Sequence, residues 1–131
     1  MCSRRCAGFS FIELMIVVVI IGLLAGAVAM SVGHYTDTAR VNRSKSDIAT
    51  IVNAVEAFYA DKGKYPTSEE GLGALKGLKL ANDSWGRPYQ YNAPGRSGAY
   101  EVICLGADGR EGGDWANADI TSDDLGTKEQ K

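Results

Sequence analysis

"RRCAGFSFIELMIVVVIIGLLAG", residues 4–26, decides how this chain is organised. Two arginines precede a long apolar run, and no residue from Leu14 to Gly33 is charged. About twenty residues at about 1.5 Å each reach roughly 30 Å, the thickness of a bilayer's hydrocarbon core. The run is therefore a transmembrane helix candidate. An ordinary cleavable signal peptide is the alternative, because Ala25-Gly26-Ala27 and Ala27-Val28-Ala29 offer small-x-small cleavage sites. Against removal stand the length of the run, the Glu13 at its head and a helical pattern that continues past it. Arg4 and Arg5 on one side are matched by Arg40, Arg43 and Lys45 on the other, so the charge flanks leave orientation open.

Glu13 asks for an explanation. An ionisable side chain at the centre of a membrane helix costs roughly 2.5 to 3.5 kcal/mol on insertion scales and usually has a partner. Near one end of the run it can snorkel to the headgroups at small cost. The residues before it offer a second answer. A cut between Gly8 and Phe9 would place a new ammonium group on Phe9, four positions from Glu13. That amine could neutralise the carboxylate of a neighbouring copy, or of its own helix before assembly.

"GFSFIELMIVVVIIGLLAG" resembles the class III signal of type IV pilins and pseudopilins: a short basic leader ending in Gly8, then Phe9, with Glu13 as fifth residue of the mature chain. The resemblance implies cleavage after Gly8 and N-methylation of Phe9 by a prepilin peptidase on the cytoplasmic side, with Glu13 serving assembly and methylation. It implies the division 1–8 leader, 9–33 transmembrane and assembly helix, 34–131 periplasmic globular domain. It also implies an inner-membrane, single-pass protein with a cytoplasmic N-terminus and a periplasmic C-terminal domain. One departure is visible. Pseudopilins of this kind commonly carry a proline about twenty residues into the stalk, where this chain has Met30 and Ser31. A proline kink is therefore not expected, while Gly26 and Gly33 leave room for bending.

Beyond the run, Val41, Ile48, Ile51, Val52, Val55, Phe58 and Tyr59 recur at three- and four-residue intervals among polar residues. That spacing predicts an amphipathic helix, continuous with the stalk and ending near Asp61 to Lys62, where Gly63 can cap and Pro66 stops continuation. A rod of roughly 75 Å results, of which half is expected to project. "PTSEEGLGALKG" predicts a short second helix capped by Thr67 and Glu70, with Leu72 and Leu75 inward and Gly77 at its end. Two strands are expected, Tyr89 to Tyr91 and Tyr100 to Leu105, joined by a turn with Pro94, Gly95 and Gly98. Trp85 and the tyrosines are expected to pack on the long helix.

The second half extends the resemblance. "YPTSEEGLGAL", "DSWGRPYQYNAPG" and "LGADGREGG" followed by "ADI" are similar to the major pseudopilin of type II secretion, the general secretion pathway protein G family. The fold this implies is α+β and type IV pilin-like: a long N-terminal helix packed on a small antiparallel sheet, with a C-terminal metal-binding loop. Ser84 stands where the family usually has proline, and "TSDDLGTKEQK" departs from the usual ending.

Asp108, Glu111, Asp114, Asn117 and Asp119 are interleaved with Gly106, Gly109, Gly112 and Gly113. Hard oxygen donors on such a loop suit Ca2+, although the spacing is not that of an EF-hand, and a solvated acidic loop fits the residues equally. The resemblance implies a structural calcium held by the Leu105 carbonyl, Asp108 and Asp119. Ala118 stands where some members have a second aspartate, which leaves Asn117 or Asp114 to supply a further oxygen.

Other chemistry finds little footing. His34 is the single histidine and sits at the membrane edge, so one chain cannot build a His-based dyad or zinc site. Cys104 reads as a buried structural thiol, and Cys2 and Cys6 precede the run, which argues against a disulfide framework. With 14 basic and 16 acidic residues and no basic face, a nucleic-acid partner has no support. The leading expectation is a filament subunit, not an enzyme, that forms a homo-oligomeric helical pseudopilus. Its expected partners are minor pseudopilins, an inner-membrane assembly platform and the prepilin peptidase. A type IV pilin or other pilin-like filament subunit is the nearest alternative, though Cys104 alone cannot close the usual C-terminal disulfide. A membrane-anchored periplasmic binding module is the alternative from another class. Glu13→Val separates the two readings of the carboxylate. Membrane insertion should persist while filament yield falls in a sedimentation assay, and wild-type yield would mean that the charge only snorkels.

Overall fold

A computed structural model describes residues 8–79 and 82–126. The basic leader residues Arg4 and Arg5, Cys2, Cys6 and the last five residues of the tail lie outside them. Helix α1 runs unbroken over Phe11–Lys62, 52 residues. No proline interrupts it, and Ser31, Thr36 and Thr50 turn their hydroxyls back onto the carbonyls of Ala27, Val32 and Ser46, so these three stay satisfied within it. It stops where the sequence says it should. Gly63 adopts φ 72° and donates its N–H to the Tyr59 carbonyl at 2.7 Å, a left-handed cap.

The chain divides into two compact units with the break after Thr36. In the first, α1 offers its apolar side chains to no neighbour. Every large hydrophobic from Phe9 to Val32 is exposed, from 43% at Val17 to 85% at Met30. Among the described residues α1 is the single helix long and apolar enough to cross a membrane.

The second unit holds the core. Ile48, Ile51 and Val55, all fully buried, repeat at three and four residues along α1 and so form one face. That face packs with Tyr91, Val102, Cys104 and Ile120 of a three-stranded antiparallel sheet. The strands are β1 (Gln90–Asn92), β2 (Glu101–Cys104) and β3 (Ile120–Thr121), in the order β1-β2-β3. Tyr91 lies opposite Val102, and Cys104 opposite Ile120. All four residues of β2 are buried, as suits the central strand.

Three phenols fasten the sheet side to its surroundings. Tyr89 donates to Asp47 and Tyr100 to Glu56, both at 2.9 Å and both on α1, while Tyr91 donates to the Pro66 carbonyl at 2.9 Å. Ser84 donates to the Arg40 carbonyl at 3.0 Å and accepts the hydroxyl of the fully buried Ser44 at 3.1 Å. Ser84 thus adds a hydrogen-bond partner to a fully buried serine on α1.

Three expectations need correction. The second helix is a turn leading into a 3-10 turn at Gly71–Ala74. The capping box itself forms, since Thr67 N–H donates to Glu70 at 2.9 Å and Glu70 N–H to Thr67 Oγ1 at 3.2 Å. Gly71, at φ 55°, breaks the α-helical path straight after it. The two strands are shorter or shifted by one residue relative to expectation. A third strand, β3, and a short helix α2 (Ser122–Gly126) stand where no element was expected. Two or five residues are too few to show a period in sequence.

The geometry predicts that Ile51→Ala costs about 2–5 kcal/mol, the usual loss for a fully buried aliphatic. The exposed Asn53→Ala should stay within about 0.5 kcal/mol. Urea unfolding of the two variants measures both.

Candidate functional site

Two regions carry the residues singled out from the sequence. The first is the head of α1. Glu13 lies in the first helical turn, where the unpaired N–H groups and the dipole favour a negative charge, and it is exposed. Phe9 precedes the helix and is 82% exposed. Gly8, Phe9 and Glu13 therefore lie together at one accessible helix end, open both to an enzyme and to another copy.

The second region is the acidic loop between β2 and β3. It is closed by its own backbone. Ala107 N–H donates to the Ala116 carbonyl at 2.9 Å, and Asn117 N–H to the Asp114 carbonyl at 3.1 Å in a 3-10 turn over Trp115–Asn117. Gly106 (φ 65°) and Gly113 (φ 101°) both press on the Asn117 carbonyl, where an added Cβ would stand 2.6 and 2.8 Å away. Glycine is required at both places by conformation and by space.

Within this frame Asp119 reaches across to the glycines, its Oδ2 accepting the Gly112 N–H at 2.8 Å. Its Oδ1 is buried and has no hydrogen-bond partner. Asp108 is exposed and accepts the Arg110 N–H at 3.1 Å. Asp114 opens the 3-10 turn and makes no side-chain cap, and Asp114 and Asn117 are both exposed. Among the described residues no three His, Cys, Asp or Glu side chains gather around one point. The orphaned Asp119 Oδ1 is the one donor that fits a bound cation on its own geometry. A buried carboxylate oxygen left without a partner costs free energy that a cation would offset.

Sequence reasoning missed the residues that hold this loop. Asp83, 9% exposed, accepts the N–H groups of Trp85 and Arg87 on Oδ1, both at 2.9 Å, and the Cys104 thiol on Oδ2 at 3.4 Å. Arg87 forks onto the carbonyls of Gly106 and Ala107. The signal available was Asp two residues before Trp85-Gly86, a pattern for an Asx turn. Trp85, Tyr65, Tyr89, Tyr91 and Tyr100 pack in or against the core, while the exposed Tyr59 stacks on Tyr65 at 4.5 Å between ring centres and Tyr35 stays exposed. Glu70 is a capping carboxylate. The Thr67 N–H bound to it lowers its pKa.

Burial, together with the neighbouring Asp83 carboxylate, pushes the Cys104 thiol from 9.0 up to about 11. Because the folded value is the raised one, the neutral thiol's contribution to stability is complete below about pH 9 and is lost as pH rises through about 11. Cys104→Ala should therefore unfold in urea with a shallower loss of stability between these pH values than the wild type. An unchanged slope would count against the buried neutral thiol.

The comparisons with known proteins agree along the chain. The family model for the type II secretion system (T2SS), protein G, matches residues 31–81 and 76–123, and the prokaryotic N-terminal methylation motif matches residues 3–29. The type II secretion system core protein G of Pseudomonas aeruginosa is 40% identical over 89% of this chain and 94% of that protein. The core protein G of Vibrio cholerae is 36% identical over 89% of this chain and 91% of its own length. The crystal structure of the major pseudopilin from the type 2 secretion system of enterohaemorrhagic Escherichia coli superposes with a TM-score of 0.61 at 25% identity. It covers 70% of this chain and 89% of that one.

Proposed function

The chain belongs to the type II secretion system protein G family, and from that membership we propose that it is a structural, non-enzymatic subunit of the secretion pseudopilus. Copies assemble into a periplasmic filament that drives protein export across the outer membrane. The observation that carries this reading is the first half of α1, whose large apolar side chains are exposed from Phe9 to Val32. A bilayer covers such a surface before assembly, and the like surface of other copies covers it in the filament. The continuation of one helix into the folded unit is what a simple anchor does not require.

The methylation motif over residues 3–29 supports cleavage after Gly8 and N-methylation of Phe9 by a prepilin peptidase. In this reading residues 1–8 are the leader, 9–33 the membrane and assembly helix, and 34–131 the periplasmic domain. The mature subunit sits in the inner membrane with its N-terminus at the cytoplasm. It enters the filament from an inner-membrane assembly platform and meets minor pseudopilins there. Glu13 then receives the Phe9 amine of a neighbouring copy, so that both charges are neutralised away from water.

The acidic loop is read as a structural calcium site. The Leu105 carbonyl, Asp108 and Asp119 would hold the ion, with Asn117 or Asp114 adding an oxygen. The support is the buried, unpartnered Asp119 Oδ1 and the all-oxygen donor set. When bound, the ion neutralises carboxylates that otherwise repel one another, and holds the loop against the sheet.

Intact mass and N-terminal sequencing of the protein purified from its own membranes test the assignment. The expected chain starts at N-methylated Phe9, and Gly8→Ala should accumulate as the uncut precursor. A chain starting at Met1, or cut after Ala27, would return the protein to the anchor or signal-peptide reading.

A further inference from the structure

Three successive carbonyls follow β2, those of Leu105, Gly106 and Ala107. Two of them are occupied by one side chain. Arg87 Nη1 donates to the Gly106 carbonyl at 2.9 Å and Nη2 to the Ala107 carbonyl at 3.0 Å. The guanidinium also lies close over Gly109, where an added Cβ would stand 2.6 Å from Cζ. Arg87 is itself held from behind. Its N–H donates to Asp83 Oδ1 at 2.9 Å, and its carbonyl accepts the Asp83 N–H at 2.6 Å. The other Asp83 oxygen accepts the thiol of Cys104, the last residue of β2, at 3.4 Å. The contacts thus form a closed circuit: strand end, Asp83, Arg87, and back to the backbone two and three residues beyond Cys104.

We infer that Arg87 is the positioning residue of the cation loop, fixing its first half before any ion arrives and leaving Leu105 as the carbonyl it does not occupy. The inference rests on the calcium reading given above. Ordering a segment that contains Gly106, Gly109, Gly112 and Gly113 is costly, because glycine loses the most backbone freedom. If the ion had to order the whole segment, that cost would be taken from its affinity. A segment already held by two charge-assisted hydrogen bonds leaves only the half nearer Asp119 to be ordered. An opposing effect exists, because a guanidinium near a divalent cation repels it. The two effects differ in sign, so replacing the arginine tells which dominates.

Lysine cannot substitute for the fork. An ammonium is one point charge on a flexible stem, whereas the planar guanidinium meets two adjacent carbonyls at once. The arginine's charge and its geometry can therefore be separated by Arg87→Lys and Arg87→Gln.

The test uses the full chain in detergent micelles, with calcium chloride titrated calorimetrically into wild type and both variants after chelator treatment. Amide hydrogen exchange in chelator is followed over residues 105–113 and, as a control for folding, over Ile48–Val55. The expected result is a calcium dissociation constant about tenfold weaker in Arg87→Gln, the usual size of effect for a residue that orients ligands without touching the ion. Arg87→Lys should recover only part of it. Exchange over 105–113 should quicken in both variants while the α1 control holds. Should Arg87→Gln lose the control protection, Arg87→Lys is judged by the same two readouts. Calcium uptake with an unchanged or tighter constant in the variants would overturn the positioning role and leave the calcium reading standing. A wild type that takes up no calcium would overturn both roles toward the ion.

Discussion

About twenty charge-free residues between Glu13 and His34 form a helix that its own structural unit leaves uncovered, and most of what this protein does follows from that. Burying apolar area is worth roughly 25 cal/mol per Å2, so a surface of this size cannot stay in water. Lipid satisfies it first. A helix already in lipid gains little by hydrophobicity from meeting another, so close packing and polar contacts must favour association. Glu13 is the polar group in the position to supply such a contact. A passive anchor would have no use for this carboxylate beyond letting it snorkel to the headgroups, whereas in the proposed filament it has a partner to meet.

The folded unit solves a different problem, which is to build a core from a short chain. It does so by letting the second half of α1 serve as one wall. Ile48, Ile51 and Val55 bury completely against β2, and the phenols of Tyr89 and Tyr100 close onto α1 carboxylates at the edges. Burial raises the pKa of both phenols, so they keep their protons and remain donors through the neutral range. Within the folded unit, the second half of α1 is thereby tied to the sheet side at Asp47 and Glu56.

How much of this could be read in advance depended on the length over which each signal repeats. The long helix was legible because its apolar positions recur over many turns and its end carries Gly63. The 3-10 turn at Gly71–Ala74 was not, because Thr67 and Glu70 form the same capping box whether a helix follows or not. β3 and α2 were not, being two and five residues long. In the acidic loop the acidic residues were visible as types, but the bond from the Gly112 N–H to Asp119 was not. What was not visible is that the loop is fastened by Arg87 and Asp83, some twenty residues earlier. No local pattern reveals a contact made only by the tertiary fold. Ser84 is instructive in the same way. Only its hydrogen bonds to Arg40 and Ser44, made in the fold, show what it contributes.

The central claim is that the apolar half of α1 is covered by other copies of this chain. A photo-reactive amino acid placed at Val18, a membrane-run position that is 61% exposed, tests it most directly. Irradiation of assembly-competent membranes should give a ladder of covalently linked copies, identified by mass spectrometry as this chain joined to itself within the apolar run. Lipid adducts alone, with the chain remaining monomeric while secretion proceeds, would contradict the account.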